Sequence, residues 1–179
     1  MNAQTIISEL ERSALNLQGD SIAKMIRKIR EHDRIFVYGT GRSGLMLKAF
    51  AMRLMQIGLN VFVVGETTTP SIHKGDLLIV ASASGETASV CMTAESALKQ
   101  GADLAVIASN PDSTLGKIQY PDIIIESATK FSRSKASIQP LGSLFEQMLL
   151  IVSDTIVLEM SREQQGSNED MARRHASLE

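Results

Sequence analysis

Short apolar runs, each closed by glycine or serine and most followed by an amphipathic stretch, constrain this chain more than any other feature. The runs are "RIFVYG" (34–39), "NVFVV" (60–64), "GDLLIVAS" (75–82), "ADLAVIAS" (102–109) and "PDIIIES" (121–127). Each is too short for a helix of ordinary length and rich in β-branched residues, so each predicts a buried strand. Between them, "SGLMLKAFAMRLMQIG" and "ETASVCMTAESALKQG" carry helical periodicity and stop at Gly58 and Gly101. Strands alternating with helices predict a parallel α/β sheet with helices on both faces. Two helical stripes fill 1–32: Ile6, Ile7, Leu10, Ala14 and Leu17, then Ile22, Met25, Ile26 and Ile29 after the break "QGD". A long apolar helix, "LGSLFEQMLLIVSDTIVLEMS", precedes a polar tail over 166–179. With 179 residues and no internal linker, residues 1–179 are expected to form one domain.

Composition removes several classes. The formal charge is −2, with no long basic run and no Trp, which argues against a nucleic-acid surface. The single cysteine, Cys91, excludes an internal disulfide and fits a reducing compartment. The apolar stretches are too short to span a bilayer. "MNAQTIISELERSAL" is mixed in charge, unlike a signal peptide. A cytoplasmic protein is expected. Metal-ligand spacing of His, Cys and Asp is absent from the sequence, so no metal site is expected.

In such sheets ligands sit beyond the carboxyl ends of the strands. The loops there are "GTGRSG", "GETTTP", "SASGET" and "SNPDSTLG". Gly39-x-Gly41-x-x-Gly44 has dinucleotide-binding spacing, and Glu66 follows some 20 positions later. The acid lies past a glycine, outside the strand end where a ribose would need it. "SASGET" points instead to phosphate. Ser82, Ser84 and Thr87 surround Gly85 where a strand joins a helix, and unpaired backbone N–H groups there favour an anion. A helix cap alone needs one such hydroxyl, not three in six residues. Gly41 and Ser43 read as a second part of the same cradle. Arg42 admits two readings, a ligand contact or a solvated charge.

Together, "GTGRSG", "GETTTP", "SASGET", "SNPDSTLG", "QPLGSLFEQ" and "RRHASLE" resemble the sugar isomerase (SIS) domain family, and within it the 6-phospho-3-hexuloisomerases. The resemblance runs over nearly the whole chain in order. It departs at Ala83, where glycine is usual, at Leu141, where methionine is common, and at Ser177, where asparagine is usual. It implies a three-layer α-β-α sandwich with a five-stranded flavodoxin-like sheet. It also implies a homotetramer with active sites near subunit interfaces. The implied reaction interconverts 3-hexulose 6-phosphate and fructose 6-phosphate without metal or nucleotide. It follows a hexulose phosphate synthase in formaldehyde fixation by the ribulose monophosphate route.

Moving a carbonyl between neighbouring carbons needs one base to take and return a proton. Glu146 is the expected base, because a carboxylate at the start of the most apolar helix is costly to place there without a role. Its other reading is a charge complementing the helix dipole. His175 is an expected acid or oxyanion partner on the tail resemblance alone. Glu66 and Thr67 are expected to bind sugar hydroxyls, with Glu66 the alternative base. Glu86 is expected to cap its helix, and Asn110 and Ser109 to line the pocket or form a turn. Two other functions compete: a non-catalytic sugar-phosphate sensor, and a sibling isomerase for another phosphosugar. Regulators of the first kind carry a DNA-binding domain, for which 1–32 leaves no room.

Overall fold

The structure of the chain, a computed structural model, describes residues 3–127, 137–162, 167–175 and 177. Helices α1 (Ala3–Leu15) and α2 (Ser21–Arg30) lead into β1 (Arg34–Gly39), α3 (Gly41–Gln56) and β2 (Asn60–Val63). β3 (Leu77–Ser82), α4 (Ala88–Lys99), β4 (Asp103–Ala108), α5 (Thr114–Ile118) and β5 (Ile123–Ile124) follow. α6 (Ser143–Arg162) and α7 (Ser167–Arg173) are the last helices among the described residues.

The five strands form one parallel sheet in the order β2-β1-β3-β4-β5. Alternation along the strands builds two cores. Ile35, Val37, Leu77, Ile79, Ala105 and Ile107 face α2, α3 and α6. Phe36, Leu78, Val80, Leu104 and Val106 face α4 and α5. β3 is buried along its whole length, as a central parallel strand must be. This is the expected three-layer α-β-α sandwich with flavodoxin-like strand order. No helix among the described residues is long and apolar enough to cross a membrane.

Some elements differ from the reading of the sequence. "SNPDSTLG" contains a short helix, α5, whose five residues are too few to show a period. β5 is only two residues long, although "PDIIIES" suggested more. Asp122 explains part of this: its side-chain Oδ2 accepts from the Val106 N–H at 2.9 Å, where a longer strand would offer a carbonyl. On α1 and just beyond it the apolar stripe is covered only in part, at Leu10 and Leu17. Ile6 and Ile7 are exposed, and the buried residues are Glu9 and Ser13.

Candidate active site

Register sets the site. Gly39 of β1 pairs with Ala81 of β3, so the two strands end level. Between them lies the point where the strand order reverses, the ligand crevice of doubly wound sheets. The loops following β1 and β3 meet there. With the start of α6 they enclose a cavity of about 420 Å³, a size suited to a small phosphorylated sugar. Thr40, Gly41, Arg42 and Ser43 form one wall, and Ser82, Ala83, Ser84 and Thr87 another. Gly142 and Glu146 close the third side.

Two helices begin at this cavity without a side-chain cap. Thr40 and Thr87 hold the capping positions of α3 and α4 in extended backbone, and neither makes a capping hydrogen bond. Their first-turn N–H groups are therefore available to an anion, and both helix dipoles favour one. The hydroxyls are arranged rather than loose. Ser82 Oγ accepts from Gly85 N at 3.1 Å and shares a hydrogen bond with Thr87 Oγ1 at 3.2 Å. Ser84 Oγ accepts from Glu86 N at 3.2 Å. Gly85 has φ +68°, and a Cβ there would lie 2.0 Å from Ser113 Oγ, so only glycine fits this turn. In the opening motif, a Cβ on Gly44 would lie 2.4 Å from the Gly39 carbonyl oxygen. That glycine lets α3 start hard against β1, which explains the dinucleotide-like spacing without a dinucleotide.

Glu146 sits in the first turn of α6, and its side chain is 14% exposed. Its Oε2 pairs with Arg42 Nε at 3.1 Å, and Arg42 Nη1 also donates to Ser143 Oγ at 3.3 Å. The Arg42 head is thus half-exposed and engaged with the candidate base, an arrangement that leaves both readings of this residue open. A cationic group and a carboxylate face each other on the wall of the cavity. Cys91 lies just behind the cradle, its thiol donating to Gly85 O at 3.5 Å. Burial, with the charges of Glu86 and Glu95, pushes that thiol up and favours its protonated form.

The cavity brings together Gly41, Arg42, Ser43, Ser82, Ser84, Thr87 and Glu146. It does not include Glu66, Thr67 or His175. Glu66 is exposed beyond β2 and pairs with Lys48 Nζ at 3.2 Å; Thr67 is exposed beside it. His175 follows α7 and is exposed. Its neighbour Arg174 donates to the Gln56 carbonyl at 3.1 Å, at the far end of α3. At about 1.5 Å per residue, that end is about 22 Å from Gly41. Glu86 lines the cavity but caps a different helix from the one expected. Its carboxylate accepts from Thr114 Oγ1 at 2.7 Å and Thr114 N at 2.9 Å, at the start of α5, and these bonds hold its carboxyl below the usual range. Asn110 forms a turn, with Oδ1 accepting from Asp112 N at 3.0 Å. The sequence reading missed Thr40 and Gly142. Thr40 was visible as a hydroxyl at a strand–helix join; Gly142 becomes a wall residue only through the packing of α6 on α3. Among the described residues, no group of three or more His, Cys, Asp or Glu side chains could hold a metal ion.

A doubly wound sheet with a hydroxyl-lined cavity at its switch point defines the class. The SIS domain model matches residues 28–151, and the chain belongs to the SIS domain family. A Mycobacterium gastri protein named 3-hexulose-6-phosphate isomerase is 42% identical over 99% of this chain and 90% of its own length. A Bacillus subtilis protein of the same name is 40% identical over 97% of this chain and 95% of its own. A crystal structure from Methanococcus jannaschii, described as inferring a molecular function of 3-hexulose-6-phosphate isomerase, superposes with a TM-score of 0.79 at 31% identity. It covers 99% of this chain and 96% of that one.

Proposed function

We propose that this chain is a 3-hexulose-6-phosphate isomerase, interconverting D-arabino-hex-3-ulose 6-phosphate and fructose 6-phosphate. One observation carries the reading. A half-buried carboxylate, Glu146, shares a cavity with two uncapped helix starts, so base and phosphate site are within one small molecule's reach. The near-full-length relatives named for this activity support the same choice.

The substrate phosphate binds the N–H groups that open α3 and α4, with Ser43, Ser82, Ser84 and Thr87 adding hydroxyl donors. Arg42 turns toward the phosphate and leaves Glu146 free to act. Glu146 takes the proton from carbon 2 of the 3-ketose, and the electrons of that C–H bond form a carbon 2–carbon 3 enediolate. The carbon 3 oxygen gains a proton as the carbon 2 hydroxyl loses one. Glu146 then returns its proton to carbon 3, leaving the carbonyl at carbon 2. The bond changes are proton transfers alone, so the route calls for no redox partner. His175 is assigned to stabilise the enediolate oxygens from a neighbouring subunit, since the tail of the same chain is docked at the far end of α3. Glu66 and Thr67 are assigned to sugar hydroxyls because their loop follows β2 at the same end of the sheet as the cavity.

The whole chain, 1–179, is read as one domain acting in a homotetramer in the cytoplasm. It works with a hexulose phosphate synthase that supplies its substrate. The test is direct. Chain, synthase, formaldehyde and ribulose 5-phosphate are mixed, and fructose 6-phosphate is measured. It should appear only when the chain is present. Accumulation of the 3-hexulose phosphate with no fructose 6-phosphate would reject the reading, and arabinose 5-phosphate would then be the next substrate to assay.

A further inference from the structure

We propose that Glu9 is a positioning residue for Glu146, acting through the loop 137–143, and that α1 is thereby part of the catalytic apparatus. The inference rests on Glu146 being the base, as argued above. It concerns an element outside the matched family region, which begins at residue 28.

Glu9 is a buried charge on an amphipathic helix, only 4% exposed. Such a group is costly unless its oxygens are satisfied. Here three donors satisfy them, and all come from one short stretch. Oε1 accepts from Ile138 N at 2.8 Å; Oε2 accepts from Ser137 Oγ at 2.6 Å and from Gln139 Nε2 at 2.9 Å. Burial alone would push this carboxyl up. The three donors and the charge of Arg12 outweigh it and hold the carboxyl below its ordinary range. These bonds leave α1 for another segment rather than closing within the helix. They fix a loop about 130 positions away in sequence.

That loop is strained where the latch ends. Leu141 has φ +56°, the left-handed region that a residue with a branched side chain rarely adopts. It is 68% exposed, so burial of its own side chain does not hold it there. Strained backbone persists only where its surroundings over-determine it. On one side the surroundings are the three bonds to Glu9. On the other are Ser143 Oγ and Ser143 N, which both donate to Pro140 O at 2.7 and 3.2 Å.

The loop delivers the chemistry. Gly142 forms part of the cavity wall, and its carbonyl accepts the Glu146 N–H at 3.1 Å. Ser143 Oγ receives Arg42. The path from Glu9 through 137–143 therefore fixes where α6 begins, and with it Glu146 and the Ser143 hydroxyl that Arg42 meets. An apolar residue at position 9 would bury α1 as well, but it would leave Ile138 N and the Gln139 amide without their acceptor. This also gives Gln139 of "QPLGSLFEQ" a task that the cavity itself does not.

The experiment is a double-mutant cycle on the full chain. Glu9→Gln, which keeps the volume but loses acceptors, and Glu9→Asp, which keeps the charge, are made alone and with Glu146→Gln. Steady-state constants and amide hydrogen exchange over 137–146 are measured. Glu9→Gln should lower kcat roughly 10-fold or more, because small misplacements of a base are costly. KM should stay within about 2-fold, because the α3 and α4 cradle is untouched. Exchange over 137–146 should rise, and Glu9→Asp should recover part of kcat. In the Glu146→Gln background, Glu9→Gln should cost nothing further. Unchanged kcat in folded Glu9→Gln, or losses that multiply in the double variant, would overturn the proposal. If the wild-type chain fails to turn over the hexulose phosphate, the functional reading fails by that result. The latch is then judged on exchange, and unchanged exchange over 137–146 rejects it.

Discussion

Ser82, Ser84 and Thr87 have hydrogen-bond partners inside the protein, and the weaker that internal bond, the more cleanly a substitution separates binding from folding. Ser84 Oγ accepts only from the exposed turn at Glu86 N. A single hydrogen bond of this kind contributes about 1 kcal/mol. Ser84→Ala should therefore raise KM by about 5- to 10-fold, one bond's worth, and leave the melting temperature nearly unchanged. A normal KM with a lower melting point would leave only a capping role. Gly85→Ala should be far harsher. The left-handed backbone costs about 1–3 kcal/mol for a residue with a Cβ. The new methyl would also lie within 2.5 Å of Ser113 Cβ. A melting temperature lowered by less than about 3 °C would show that the turn adapts. The cradle was legible in the sequence because its chemistry is local: Ser82, Ser84 and Thr87 meet through a turn of six residues. Glu9 was not legible, because its partners are Ser137, Ile138 and Gln139 and only the packing of α1 brings them close. The Arg42–Glu146 pair was hidden for the same reason, since 104 positions separate its members although each was singled out alone.

Among the elements, strands and long helices were readable because alternation and helical period repeat often enough to be seen. β5 lies where a strand is expected but is shorter, and α5 is too short to show a period; Asp122 and Ser113 settle their bounds by side-chain bonds. The helix of α1 is legible from its apolar period, and Leu10 packs on the core, but the fully buried residues are Glu9 and Ser13, whose burial no apolar pattern announces. The acid stability of the molecule tests that contact. Glu9 faces Arg12 on its own helix and shares a surface groove with Glu126, which follows β5. Its carboxyl is held below the ordinary range, so its contribution is present above the unfolded-state value of about 4.3 and fades as pH falls through its own lower value. The melting-temperature gap between wild type and Glu9→Gln should be widest near pH 7 and should close below about pH 4. A gap that is constant across that window would show that the charge of Glu9 stabilises nothing.

At the scale of the whole molecule, exposed apolar side chains sit where a neighbour would cover them. Ile6 and Ile7 on α1, Leu45 and Met52 on α3, and Met92 on α4 are all at least 37% exposed. The proposed tetramer would bury such faces and would let a tail deliver His175 to another chain's cavity. Sedimentation at micromolar concentration should show a species near four times 19.4 kDa; a single 19.4 kDa species would reject assembly. The central claim, however, is that Glu146 moves the proton, and one measurement addresses it. Fructose 6-phosphate is incubated in deuterated water with wild type and with Glu146→Gln, and deuterium at carbon 3 is followed by NMR. Wild type should exchange that hydrogen, and Glu146→Gln should do so slower by roughly 10²-fold or more, with substrate affinity retained. Exchange by Glu146→Gln at the wild-type rate would contradict the account and make Glu66 the residue to test next.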